Sequence, residues 1–212
     1  MYLSYVCRIC HKIPLLHFIV MPQRQPWDIP PQPERYDSTA DAVFTAVGKA
    51  LTKWETAEAA CAELFAIFVG APQDSTHMAP AVRAYGSVVS FNGRCEMLLR
   101  AAEAYFVEHS DEKLEAKFKT LLAECRNYSA RRNEIAHGTV VAVMDGETDQ
   151  RLGFVLAPSF YNPKKYSLKH ALSYQYTSHE ILFFAGRFSV LTTKVNVISL
   201  SLQGKFPSRD KT

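Results

Sequence analysis

From Asp37 onward, apolar and polar residues alternate with the period of an α-helix. Val43, Val47, Ala50, Trp54, Ala57, Cys61, Leu64 and Phe68 follow in steps of four and three, the spacing of a seam facing another helix. Asp37 or Ser38 is expected to cap this first helix, and Gly70-Ala71-Pro72 to end it. A second helix is expected over about 79–108, with Val82, Tyr85, Val89, Leu98, Ala102 and Phe106 inward, although Gly86 and Asn92-Gly93 weaken its middle. Asp111 or Ser110 starts a third helix, which runs to Gly138. A final helix over about 178–202 repeats the seam with Ile181, Phe184, Phe188, Leu191, Val195, Ile198 and Leu202.

Between the third and fourth helices the pattern changes. Residues 139–144 and 151–156 are rich in β-formers, and Asp145-Gly146-Glu147-Thr148-Asp149-Gln150 between them reads as the turn of a hairpin. Residues 158–176 follow as a loop rich in Tyr, Lys and Pro. The expected fold is therefore all-α: an antiparallel four-helix up-down bundle over 38–212, with a small β-hairpin insertion at about 139–157. Residues 1–37 read as an N-terminal extension and linker. Five prolines from Pro22 to Pro33 exclude helix or central strand there. Met21 directly precedes that stretch, which leaves open whether residues 1–20 are translated.

Composition narrows the class. With 212 residues, 48% hydrophobic and 21% charged, the chain can bury a sizeable core. The N-terminal apolar run over 13–21 is short, is interrupted by His17 and lacks a cleavage pattern, so no membrane span is expected from it. An odd, scattered set of five cysteines argues against a disulfide framework and for the reducing cytoplasm. Cys7-Arg8-Ile9-Cys10-His11 has the C-x-x-C-H spacing of covalent haem, but that attachment needs export. Zinc would need two further ligands at sensible spacing. No cofactor and no metal are expected. The net charge of +3 is uneven: 158–212 holds eight basic and two acidic residues, net +6, and could attract phosphates.

The third helix carries the chemistry. With Cys125 at zero and about 100° per residue, Phe118, Leu121, Leu122, Ser129 and Ala136 share one face, and Arg132 falls about 20° from its middle. Lys119, Glu124, Asn127, Arg131 and Glu134 fall outside that stripe, where charge belongs. An arginine in an apolar stripe must be paired, snorkelling, or facing something other than core. Asn133 and His137 form a polar rim beside it. Gly138 is expected to supply a left-handed C-cap, fraying the end so that the His137 imidazole swings towards Arg132.

Arg132-Asn133-Glu134-Ile135-Ala136-His137 resembles the R-x4-H signature of the HEPN superfamily, whose motif sits at the end of a long helix with a polar residue after the arginine. The resemblance covers about 37–202 and is nearest to abortive-infection and toxin-like members. It implies a helical bundle that dimerises and brings two motifs together as a metal-independent endoribonuclease. Arg132 would bind the scissile phosphate, His137 would transfer protons and Asn133 would orient either group. Tyr128 and Arg131 would support them, and Lys164, Lys165 and Lys169 would line an RNA groove. The implied partners are a second copy, RNA and, within a toxin–antitoxin or phage-defence system, a nucleotidyltransferase-like antitoxin. The competing reading is a non-catalytic HEPN bundle that binds nucleotide, RNA or a protein. Bland roles also stand beside these: Arg132 paired with Glu96 or Glu103, His137 as a helix cap, and Tyr128 as packing.

Overall fold

The computed structural model describes residues 6–8, 24–71, 75–161 and 172–203. Described helices are α1 (Ala40–Phe68), α2 (Ser75–Ser87), α3 (Phe91–Glu108), α4 (Glu112–His137) and α5 (Ser178–Gln203). A small sheet comprises β1 (Val6–Arg8), β2 (Gly138–Met144) and β3 (Arg151–Pro158). The fold is thus mainly helical with a β-hairpin between α4 and α5. It has five described helices where four were expected.

The extra helix comes from a break in the expected second one. Ser90 caps α3 by accepting from the Gly93 amide at 3.0 Å. Arg94 covers the open carbonyls at the end of α2, donating through Nε to Val88 at 2.8 Å and through Nη2 to Gly86 at 3.3 Å, and it ion-pairs with Glu58. Val89, expected inward, lies in the break and is exposed.

The chain divides into two compact units, Met1–Leu51 with Arg131–Ala185 and Thr52–Ala130 with Gly186–Thr212. The second is a helical core. Its α1 segment contributes Trp54, Cys61, Leu64 and Phe68, whose rings meet those of other helices: Trp54 lies 4.8 Å from Phe91 and 5.0 Å from Phe188, and Phe68 lies 5.1 Å from Phe118. Gly70 ends α1 as expected, with Gly70 and Ala71 amides donating back to Ile67 and Ala66. Asp111 caps α4 as expected, accepting from the Leu114 amide at 3.0 Å.

The first unit is built on the sheet. β2 and β3 pair antiparallel from Gly138 opposite Pro158 to Met144 opposite Arg151. The Asp145 carboxylate closes their turn by accepting from the Glu147 and Thr148 amides. Val141, Val143, Val155 and Ala157 share one face and pack with Tyr36 and Leu172. β1, within the expected extension, pairs parallel with β2, while Cys10 and His11 lie outside the described residues. On the far side of β3, Asp37 and Phe154 exchange backbone hydrogen bonds, as do Tyr176 and Leu156.

Two local expectations are corrected here. Asp37 does not cap α1. Thr39 takes that place, its hydroxyl accepting from the Ala42 amide at 3.4 Å. The Asp37 carboxylate instead caps α5, accepting from the Ser178 amide and hydroxyl, both at 2.6 Å. Asp37→Ala is expected to cost about 1–2 kcal/mol, read by urea denaturation.

Gly138 is likewise not a left-handed cap. α4 passes directly into β2, and the only described glycines with positive φ are Gly70 and Gly153. Glycine is needed at 138 because a Cβ would meet Leu156 Cγ at 2.7 Å and the Glu134 carbonyl oxygen at 3.0 Å. Gly138→Ala is expected to destabilise by about 1–3 kcal/mol through overpacking, measurable as a lower Tm.

Candidate functional site

The last two turns of α4, in the first unit, are held by buried polar groups. Glu134 is 5% exposed. Its carboxylate accepts from the Tyr176 hydroxyl at 2.5 Å and pairs with both Arg131 Nη atoms at 3.2 and 3.3 Å. The Tyr174 hydroxyl donates to the Glu134 carbonyl oxygen at 3.3 Å. Tyr174 and Tyr176 stack at 5.1 Å, and Tyr176 meets Phe184 edge-on at 5.8 Å. Burial, reinforced by the neighbouring Glu134 carboxylate, pushes both phenols well above their usual range, so both act as donors.

This corrects the expectation that Arg131 and Glu134 face solvent. Residues 174–177 are all buried, and Tyr176 bridges to Leu156 of β3, so this end of α4 is covered on a side that the wheel assigns to water. Within the protomer, Arg131 is tucked against the Glu134 carboxylate.

Arg132 is half-buried, and its Nη1 donates to the Asn133 side-chain oxygen at 3.1 Å. Glu96 and Glu103, considered as its carboxylate partners, both ion-pair with Arg100, and Glu96 also pairs with Arg126. Asn133 and His137 are exposed. His137 is still helical, and its carbonyl accepts from the Ser159 hydroxyl at 2.8 Å. That contact replaces the frayed end expected from Gly138, so the backbone supplies no swing. Five residues of regular helix place Arg132 and His137 about 140° apart around α4 and about 7.5 Å apart along it. The motif thus offers a half-buried cation and an exposed proton carrier on different faces of one helix end.

Tyr128 is a packing residue of the second unit, 4% exposed and edge-on to Phe188 at 6.2 Å, with its hydroxyl's pKa raised by burial. Lys164, Lys165 and Lys169 lie outside the described residues. The sequence reading missed the Glu134–Tyr176 bond and the aromatic pair Phe160 and Tyr161. Tyr174 and Tyr176, two residues apart, carry the period of an extended strand and were the available signal for the first.

The buried free thiols Cys61, Cys95 and Cys125 offer no ready nucleophile. A hydrogen bond with Cys125 and burial hold Cys61 well above the ordinary thiol range, and burial pushes Cys95 up to about 12. Among the described residues, no group of three or more His, Cys, Asp or Glu is placed to hold a metal ion. By length and composition, α5 is the one described helix that could cross a membrane, although its Ile181-to-Leu202 seam is buried as expected.

Comparison with protein-family models, with curated proteins and with solved structures gives no match to this chain.

Proposed function

We propose that this chain is a metal-independent endoribonuclease of HEPN type, with a composite site formed where two copies meet. The observation carrying the reading is the half-buried Arg132 and exposed His137 at the end of one helix, beside a clamped Arg131–Glu134–Tyr176 network. Because Arg132 and His137 diverge by about 140°, one protomer does not focus both on one phosphate. A second copy related by a two-fold axis supplies the missing partner, giving two guanidinium groups and two imidazoles from one short motif.

In that site, one His137 takes the proton from the RNA 2′-hydroxyl as its oxygen attacks phosphorus. The other gives a proton to the departing 5′-oxygen. Both Arg132 groups hold the phosphate and stabilise charge building on its oxygens. The bond to the 5′-oxygen breaks, leaving a 2′,3′-cyclic phosphate and a 5′-hydroxyl. Three buried free thiols support a reducing cytoplasm. A toxin or phage-defence role with a nucleotidyltransferase-like antitoxin belongs to the same proposal.

The divergence of Arg132 and His137 also favours a second reading: a HEPN bundle that binds RNA, nucleotide or protein without turnover. Incubating purified protein with mixed RNAs in EDTA separates the two. Fragments ending in 2′,3′-cyclic phosphate are expected. Diverse RNAs left intact at high enzyme concentration would favour the binding-only bundle.

A further inference from the structure

The last helix is apolar on two faces, and the protomer covers only one of them. In the second unit, Phe188, Leu191, Val195, Ile198 and Leu202 of α5 are buried. Beside that seam, Gly186, Val190, Thr193, Val197 and Leu200 follow in steps of four, three, four and three, and all five are exposed. Val190 is 45% exposed, Val197 57% and Leu200 67%. A helix that is apolar all round is normally buried, so this second heptad-spaced stripe calls for a cover.

We propose that the cover is the same stripe of a second copy, with the two α5 helices packed antiparallel about a two-fold axis beside Thr193. This goes beyond the composite-site reading, which requires two copies but names no surface that joins them. Three observations select a second copy. First, the stripe is self-complementary in shape. Positions 186 and 200 lie equally far from 193, so the axis sets Leu200, the most exposed large apolar side chain of α5, over the partner's Gly186. A Cβ at Gly186 would meet nothing within 4 Å, so the site has room for it. Val190 then faces the partner's Val197, whereas a parallel pair would set glycine on glycine and leucine on leucine. Second, closing the contact orphans no hydroxyl at its centre, because the Thr193 hydroxyl already donates to the Ser189 carbonyl at 3.2 Å. Third, the charge suits apolar self-contact. Lys194 is the one charged residue from Ser189 to Gln203, and Glu124 neutralises it at 2.6 Å. A helix lying on a lipid surface carries a basic polar face instead.

The test is sedimentation equilibrium of the full-length protein. The wild type is expected at twice its 23.9 kDa chain mass. V190E/V197E and V190K/V197K should each dissociate roughly 100-fold more readily, because like charges then meet across the axis. Mixing the two variants should restore the dimer, which also shows that both are folded. Orientation is read by cysteine cross-linking under diamide. A mixture of G186C and L200C chains should cross-link, while L200C alone should not, its two positions lying about 21 Å apart along an antiparallel pair. Cross-linking of L200C with itself overturns the antiparallel arrangement. A dimer that both charged variants leave intact overturns the α5 pairing, and the composite-site reading stands. A wild-type monomer overturns both, and its flotation with phosphatidylcholine–phosphatidylserine vesicles, lost in V190E/V197E, would assign the stripe to lipid. An α5-dependent dimer that leaves all RNAs intact sustains the pairing and overturns the nuclease reading.

Discussion

His137→Ala should lower the rate of RNA cleavage by about 10²–10⁴-fold, the usual contribution of a positioned acid or base. The side chain is exposed, and the contact made by residue 137 with Ser159 uses its backbone carbonyl, which alanine keeps. Secondary structure and Tm should therefore stay at wild-type values, separating loss of chemistry from loss of fold. Arg132→Ala should lose about 10²–10³-fold, as expected when a donor to developing charge is removed. Arg132→Lys should not restore it fully, because an ammonium cannot reproduce the bidentate fork. The measurement is single-turnover cleavage of a labelled RNA. A His137→Ala rate within about threefold of wild type would remove that residue from the chemistry.

The second large effect falls on stability. Glu134→Ala removes the carboxylate that pairs with Arg131 and accepts from Tyr176, leaving a guanidinium that is 11% exposed without its counter-charge. Breaking one side of a buried pair costs about 3–5 kcal/mol. In a chain of this size, that corresponds to roughly 6–20 °C in Tm. Replacing Arg131 and Glu134 together by apolar residues should recover much of the loss, because the cost lies in the uncompensated charge. Thermal and urea unfolding read the effect. A shift below about 1 kcal/mol for Glu134→Ala would mean that the pair is hydrated rather than buried.

The elements legible in the sequence were those set by local periodicity. The α5 seam from Ile181 to Leu202, most of the α1 seam, the Asp111 cap and the hairpin closed by Asp145 all depend on residues a turn or two apart. What escaped depends on residues distant in the chain. Asp37 suits the start of α1, yet it caps α5, 141 residues away. Glu134 sits on the polar side of a wheel that knows only one buried face, and Tyr174–Thr177 supply the second. Gly138 reads as a helix stop from its neighbours, whereas its small size answers Leu156 across the sheet. The sequence proposes Arg132, Asn133 and His137 as the candidate site, and the helix sets Arg132 and His137 about 140° apart around α4. The tie between Ser159 and the His137 carbonyl was not legible, because the β2–β3 register, not sequence proximity, brings them together.

Activity in mixed dimers tests the composite site most directly. Wild-type protein at fixed concentration is allowed to exchange subunits with increasing amounts of the doubly substituted R132A/H137A chain. If each site needs groups from both copies, a tenfold excess of the inert chain leaves about a tenth of wild-type subunits paired with one another, and cleavage falls to about that level. Cleavage that stays constant while subunits exchange would show that a single protomer carries the whole reaction, contradicting the composite site.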